Sequence, residues 1–400
     1  MLLRSFFLNS IHLLLFRTSG FGFRIFAPAL PRLAWRSVLV LLLGAAAAFA
    51  QSVPSIDAEL EAIRAKHKIP ALAALAMTGG EVRMEGAVGV RKLGALDPVT
   101  RNDQWHIGSC TKSMTATLAA ILVEQGKLRW ETKIGDVFPE LRETMDPSWR
   151  TVTLEMLLTH RSGAPAEAPP NLWRNAQARI GTPPEQRMNF VTGLLLRRTE
   201  EPPGTKFVYS NQGYSIAGAM LERVTRQPWE DLMRTMIFEP CHMTSAGFGA
   251  PASPGKIDQP WGHEGSEMKP VPQGPRADNP PAIAPGAAVH CTLVDFARYA
   301  ALHALGDRVG TMFLRREGFR KLHTPPEDGD YAFGWRSVPR DWAHGNALTH
   351  AGSNTMFYFV VWIAPARDAV FVAATNCAGP TAQEATDEAV STLIGKVLKD

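Results

Sequence analysis

Strand-like segments occur near both ends of this chain, and helical periodicity lies between them. The runs ALAALAM (71–77) and VRMEGAVGV (82–90) flank Gly79-Gly80, which predicts an antiparallel hairpin. Three further strands are predicted near the C-terminus, at 332–335, 356–364 and 369–376. An amphipathic helix is predicted to follow at 384–398. This arrangement is typical of an α+β fold with an antiparallel sheet flanked by helices.

The middle of the chain has the periodicity of helices. From Ser109 onward apolar residues repeat on one face, and the pattern ends near Gly126. Further helices are predicted at 153–158, 214–224 and 293–305. The segment 250–287, rich in proline and glycine, predicts a long surface excursion beside a site. We therefore expect a sheet domain from 51–104 and 236–400, a mainly helical lobe from 105–235, and an active site in the cleft between them.

Composition excludes some classes of function. Of 400 residues, 45% are hydrophobic and 20% are charged, as in a globular protein with a sizeable core. The net charge is +4 and no basic run interleaves with aromatic residues, so we expect no nucleic-acid partner. The four cysteines are too few for a disulfide framework, and we expect small buried side chains at Cys110, Cys241, Cys291 and Cys377. The spacing of His and Cys predicts no metal site, and no cofactor is expected.

The N-terminal region predicts export. Arg32 and Arg36 precede a short apolar run, 38–50, which ends in Ala48-Phe49-Ala50. A positive region, an apolar core and an A-x-A end are typical of a secretory signal peptide, with cleavage after Ala50. The run is shorter than the roughly 20 residues that span a bilayer, so no stable span is expected after cleavage. An uncleaved anchor stays open as the alternative. Whether residues 1–30, upstream of the signal, are a dispensable leader or a misassigned start also stays open.

Ser109 and Lys112 form the most informative pair of polar residues. Two other Ser-x-x-Lys patterns, 253–256 and 266–269, lie among proline and glycine, which break the helix that would bring serine and lysine together. Only Ser109 begins a strong helix, so that Lys112 returns to the same face. A serine hydroxyl becomes a good nucleophile when a neighbour takes its proton, and a lysine can do so if burial lowers its pKa.

Further motifs occur in a fixed order, one directly before Ser109 and the others after it. They are 105–108 (WHIG), 157–163 (LLTHRSG), 203–214 (PGTKFVYSNQGY), 350–354 (HAGSN) and 375–376 (TN). Together with Ser109 and Lys112 these segments resemble the serine penicillin-recognising enzymes, in the branch of class C β-lactamases, D-Ala-D-Ala peptidases and related esterases. The resemblance runs from about residue 55 to 395 and implies a β-lactamase/transpeptidase-like fold.

The resemblance implies a role for each matching residue. Ser109 becomes the nucleophile and Lys112 its proton acceptor, while Tyr209 is the second general base and acid. Which of Lys112 and Tyr209 takes the first proton stays open. Asn211 is expected to hold Lys112 and a substrate carbonyl.

Three residues of the C-terminal motif complete the implied site. Gly352 keeps a cleft strand open to substrate, and the Ser353 N–H is expected to pair with that of Ser109 as an oxyanion hole. His350 stands where the β-lactamase branch usually has lysine. Because histidine is mostly neutral at pH 7, the site is less suited to the carboxylate of a β-lactam. An esterase or D-peptidase is favoured over an efficient β-lactamase.

The expected function is an exported, periplasmic or secreted serine hydrolase that acts through an acyl-enzyme. Its substrate is expected to be a small ester, amide, D-amino-acid peptide or β-lactam. The alternative is a penicillin-binding sensor or pseudoenzyme that is acylated without turnover. The oligomeric state and the physiological substrate stay open.

Overall fold

A computed structural model describes residues 53–398 of the chain. The predicted signal peptide and the leader before it lie outside the described residues. Within 53–398, no helix is both long and apolar enough to cross a bilayer.

The core of the fold is a six-stranded antiparallel sheet in the order β2-β1-β11-β10-β9-β8. Two small sheets, β3-β7-β4 and β5-β6, lie outside it. In chain order the strands are β1 Ala71–Thr78, β2 Glu81–Gly89, β3 Trp105–His106, β4 Gly247–Phe248, β5 His263–Glu264, β6 Lys269–Pro270, β7 Val289–Cys291, β8 Arg336–Arg340, β9 Gly345–Ser353, β10 Tyr358–Ala364 and β11 Ala369–Thr375. All strands of the large sheet come from the two ends of the described chain.

Helices cover both faces of the large sheet. They are α1 Asp57–His67, α2 Thr111–Glu124, α3 Ile134–Val137, α4 Leu154–Leu158, α5 Pro170–Gln177, α6 Pro183–Leu195, α7 Asn211–Thr225, α8 Trp229–Met233, α9 Ala284–Ala287, α10 Leu293–Val309, α11 Arg316–His323 and α12 Pro380–Val397. Helices α1 and α12 pack on one face, and α10 packs on the other, where the larger apolar core extends to α2 and α7. The fold is therefore α+β, as predicted.

Most of the predicted elements are present, and one predicted strand is wrong. The hairpin around Gly79-Gly80 is formed by β1 and β2. The segment 332–335 is a turn, because Ala332 N–H donates to the Trp335 carbonyl at 2.7 Å. Gly334 there has φ 81°, and a Cβ on it would lie 2.5 Å from the Ser113 backbone. This apolar run is buried by contact with α2 and not by pairing in the sheet. The division of the chain at residues 105 and 235 stays a prediction.

Strand β9 lies beside the turn that contains Ser109. Its pairing with the edge strand β8 ends at Thr349, opposite Arg336. The following residues, His350–Ser353, pair on their other side with β10. This leaves one edge of β9 without a β8 partner beside α2, where an extended group of a substrate could lie.

Candidate active site

Ser109 lies where the start of α2 meets β9. It is the middle residue of a 3₁₀ turn, Gly108–Cys110, directly before the helix. Gly108 has φ 49°, and a Cβ there would lie 2.3 Å from the Ser353 nitrogen. A Cβ on Gly352 would lie 2.6 Å from the Ser109 nitrogen. Only glycines permit this approach, which brings the Ser353 nitrogen close to Gly108 and the Ser109 nitrogen close to Gly352.

Lys112, the second residue of α2, is fully buried and contacts the serine one turn before it. Its Nζ lies 3.1 Å from Ser109 Oγ, 2.6 Å from Asn211 Oδ1 and 3.0 Å from the Gly286 carbonyl oxygen. All three partners are neutral oxygens. Burial without a carboxylate partner lowers the pKa of Lys112 to about 7.

These contacts suit a neutral amine. A deprotonated lysine has two N–H donors and one lone pair. The two N–H groups can donate to Asn211 and Gly286, and the lone pair can accept the hydroxyl proton of Ser109. A Cβ on Gly286 would lie 3.1 Å from Asn211 Oδ1, so a residue without a side chain fits best there. The geometry therefore gives the serine a base within hydrogen-bond reach.

Tyr209 contacts both members of this pair. The Lys112 Nζ lies 4.6 Å from the centre of the Tyr209 ring. Although 37% of the residue surface is exposed, burial around the phenol raises its pKa above the ordinary value, and a hydrogen bond to Ser109 opposes this rise. The phenol is thus protonated at neutral pH and can donate a hydrogen bond.

His350 lies beside the site and is neutral. Its Nδ1–H donates to the Ala351 carbonyl oxygen at 2.6 Å, which leaves Nε2 as the acceptor. That nitrogen lies 3.2 Å from the Tyr331 hydroxyl. Burial and the positive charge of Lys112 lower the pKa of His350 to about 3. The predicted loss of a permanent cation at this position therefore agrees with the buried geometry.

A second histidine continues this hydrogen-bonded chain. His160 Nδ1 accepts the Ser210 N–H at 3.1 Å, so its proton is on Nε2, which donates to the Tyr331 hydroxyl at 3.2 Å. Tyr331 can then donate to His350. Burial holds the pKa of His160 well below its usual value. The run of donors and acceptors is consistent with two uncharged histidines joined by one tyrosine.

Residues of the site line two cavities. One, of about 330 Å³, is lined by groups that include Tyr209, His350 and Arg336. The other, of about 290 Å³, is lined by Asn211 and Trp173 among others.

The predicted site residues fall into two groups. Ser109, Tyr209 and Asn211 each contact Lys112, and Gly352 and Ser353 contact the Ser109 turn. His350 contacts Tyr331 instead of the serine or lysine. Sequence reasoning missed the roles of Tyr331, His160 and Gly286. His160 lies within the recognised LLTHRSG segment, which was the available signal, whereas Tyr331 had none.

The cysteines are buried and free of disulfides, as predicted. Cys110 adjoins the nucleophile, but its Sγ contacts the His350 carbonyl oxygen at 3.6 Å, and burial raises its thiol pKa. It is therefore a packing residue. Within residues 53–398 no cluster of three His, Cys, Asp or Glu side chains is placed to hold a metal ion.

The sequence model of the Beta-lactamase protein family matches residues 56–396 of the chain. The chain belongs to the beta-lactamase family. This confirms the resemblance read from the ordered motifs, and membership points to serine hydrolase activity. Penicillin-binding protein 4 of Amycolatopsis lactamdurans is 28% identical over 294 residues, 72% of this chain and 73% of that protein. Lovastatin esterase of Penicillium rubens is 30% identical over 180 residues, 40% of this chain and 44% of the esterase.

Solved structures confirm the β-lactamase/transpeptidase-like fold. The octameric penicillin-binding protein homologue from Pyrococcus abyssi has a TM-score of 0.66 and 24% identity, with 84% of this chain and 77% of that chain covered. The structure of SurE has a TM-score of 0.67 and 20% identity, covering 85% of this chain and 74% of that chain. At these identities the similarity is one of fold.

Proposed function

We propose that the chain is an exported serine hydrolase that forms an acyl-enzyme at Ser109 and hydrolyses it. The observation that carries this proposal is the contact of Ser109 Oγ with the buried amine of Lys112 at 3.1 Å. A nucleophile within reach of a base whose pKa is about 7 is the arrangement that acyl transfer requires.

The first proton is proposed to pass to Lys112. Its amine is partly neutral at pH 7, whereas the raised pKa of the Tyr209 phenol keeps the tyrosine protonated. As Ser109 Oγ bonds to the substrate carbonyl carbon, its proton moves to Lys112 Nζ. The carbonyl oxygen becomes an oxyanion, which the backbone N–H groups of Ser109 and Ser353 stabilise.

The later steps follow from the same contacts. Collapse of the oxyanion breaks the bond to the leaving group, which takes a proton delivered through Tyr209 or Lys112. A water then attacks the carbonyl carbon of the ester on Ser109 and gives up a proton to the same bases. Collapse of this second oxyanion breaks the bond between the carbon and Ser109 Oγ, the proton returns to Oγ, and the acid is released. Asn211 holds Lys112 through its oxygen and keeps its amide nitrogen for a substrate carbonyl.

The charges around the site favour a substrate without a carboxylate next to the scissile bond. His350 is neutral, and Arg336 in the adjoining cavity is bound by both oxygens of Asp330, at 2.6 and 2.7 Å. A small ester, an amide or an uncharged D-amino-acid derivative therefore suits the site better than a β-lactam. Lovastatin esterase among the relatives supports an ester substrate.

Intact-mass spectrometry tests the proposal. The wild-type chain is treated with a fluorophosphonate and, separately, with a penicillin, and the labelled peptide is mapped. We expect one phosphonyl group on Ser109, none on Ser109→Ala, and a loss of at least about 10³-fold in ester turnover by that variant. Label on another residue, or unchanged turnover by Ser109→Ala, contradicts the assignment. If esters and penicillins both release one equivalent of product per protein and turnover then stops, the chain is instead a sensor that is acylated without turnover.

A further inference from the structure

A buried histidine fixes the turn that carries the nucleophile. His106 Nδ1 accepts the Gly108 N–H at 3.1 Å, one residue before Ser109. The ring proton is therefore on Nε2, which lies 2.8 Å from Asp278 Oδ1. His106 has none of its surface exposed. Within residues 53–398 its Nε2 makes no aligned hydrogen bond, so the Asp278 carboxylate contacts it as an ion pair partner at 2.8 Å and not through hydrogen-bond alignment. The aspartate is thus the charged group packed against this imidazole.

The same carboxylate oxygen reaches the other half of the oxyanion hole. Asn354 directly follows Ser353, and its Nδ2 lies 3.4 Å from Asp278 Oδ1. The direction of this amide is fixed, because Asn354 Oδ1 accepts the N–H groups of Met356 and Phe357 at 3.2 and 3.0 Å. Asp278 therefore contacts Asn354, which is next to Ser353, and reaches Gly108, which is next to Ser109, through His106.

We propose that Asp278 is a positioning residue that holds the Ser109 and Ser353 N–H groups at the spacing that an oxyanion needs. The inference rests on the proposed function, since it concerns the geometry of acyl transfer at Ser109. Oxyanion donors act only when they are fixed where the charge develops, and a shift of about 1 Å can cost about 100-fold in rate. A single buried carboxylate bound to both segments limits such a shift.

The loop that carries Asp278 is held in place by Arg179. Arg179 donates to the backbone carbonyl oxygens of Pro275, Asp278 and Asn279 at 2.7, 2.6 and 3.0 Å. Asp278 is 8% exposed. His290 on β7 pairs with His106 on β3 and so lies next to the imidazole that Asp278 contacts. The 250–287 excursion therefore has a structural connection to the catalytic turn as well as a place beside it.

Steady-state and burst kinetics with a p-nitrophenyl ester test this inference. The burst counts the active sites, so kcat is expressed for each site that is acylated. We expect Asp278→Ala to lower kcat about 10- to 100-fold with KM within about twofold of the wild type. Asp278→Asn keeps an oxygen near both partners and is expected to recover much of this loss.

A matched control comes from a second histidine–aspartate pair. His323 Nδ1 lies 2.7 Å from Asp307 Oδ1, between α11 and α10. Asp307→Ala is expected to leave kcat per site unchanged. Wild-type kcat per site in Asp278→Ala, or an equal loss in Asp307→Ala, overturns the inference.

Two further results keep the inference and the proposed function separate. If Asp278→Ala does not fold, His106→Asn replaces it, because its shorter side chain can accept the Gly108 N–H but ends before Asp278. The same loss of kcat supports the inference, and wild-type kcat overturns it. Absence of any burst in the wild-type protein contradicts the proposed function itself, independently of Asp278.

Discussion

Two fully buried basic side chains, Lys112 and Arg187, have opposite surroundings. Arg187 is paired with the carboxylates of Glu222 and Glu230, the latter at 2.6 Å. Within residues 53–398, the hydrogen-bond partners of the Lys112 amine are all neutral oxygens, at 2.6 to 3.1 Å. Both reach the same stretch of chain, since Arg187 also donates to the Pro281 carbonyl oxygen and Lys112 contacts that of Gly286.

The difference between them is a difference of charge compensation. A buried cation with two carboxylate partners stays charged and joins the segments that carry those partners. A buried amine with no carboxylate partner loses much of its preference for the proton, so its pKa falls. Arg187 therefore stabilises the helical region, whereas Lys112 is available as a base.

Lys112→Arg is expected to have the largest effect. The guanidinium keeps a positive charge at this position but cannot give up its proton near neutral pH. We expect turnover of a p-nitrophenyl ester to fall at least about 10³-fold, measured per folded protein. Arg187→Lys is the matched exchange and should keep turnover within about threefold. Substantial turnover in Lys112→Arg would show that the serine does not need this base.

Substitution by methionine at both positions compares the contributions to stability. Arg187→Met leaves Glu222 and Glu230 buried without their partner, and we expect the free energy of unfolding to fall by about 3–5 kcal/mol. Lys112→Met leaves two carbonyl oxygens without a donor but removes the cost of burying an amine. Its loss is expected to be under about 2 kcal/mol. Urea denaturation at pH 7 measures the free energy of unfolding of both variants. A larger loss of stability in Lys112→Met than in Arg187→Met contradicts the comparison.

Asn211→Asp gives Lys112 the kind of partner that Arg187 has. The added carboxylate favours the charged ammonium, so the pKa of Lys112 rises and less neutral amine is present at pH 7. We expect the midpoint of the rise of kcat/KM with pH to move up by about one unit, with about a five- to sixfold loss at pH 7. Asn211→Ala removes the same amide without adding charge, and its midpoint should not rise. If kcat/KM rises with the same midpoint pH in Asn211→Asp and in the wild type, Lys112 is not the base that controls this rise.

His350→Lys is expected to have the smallest effect and concerns substrate choice. It restores a permanent cation where the neutral histidine contacts Tyr331. We expect acylation by a penicillin, followed by mass spectrometry, to become about fivefold faster, since a partly exposed ion pair contributes about 1 kcal/mol. Acylation by a neutral ester serves as the control and should change less. An equal change with both substrates would exclude charge recognition at this position.

The sequence was sufficient for the parts of the fold that depend on local pattern. The Gly79-Gly80 turn between alternating apolar runs predicted the first hairpin, and the helical repeat after Ser109 placed Lys112 one turn away. The strand predicted at 332–335 was wrong because its apolar residues are buried against α2, which periodicity cannot distinguish from burial in a sheet.

The chemistry of the site depends on contacts that local pattern does not contain. The oxygens that hold the Lys112 amine belong to residues 99 and 174 positions further along the chain. The absence of a carboxylate near that amine, which lowers its pKa, becomes visible only when these segments are brought together. Tyr331 likewise acquires its place between His160 and His350 through tertiary structure alone.

The pH dependence of fluorophosphonate labelling at Ser109 tests the central claim most directly, because it needs no knowledge of the natural substrate. The rate constant for labelling is measured by intact mass from pH 5 to 10, with Ser109→Ala as the blank. With Lys112 as the neutral base, the rate rises with pH, is half-maximal near pH 7 and then stays level. A rate that is still rising above pH 9, as for a lysine with its ordinary pKa of about 10.4, contradicts the account.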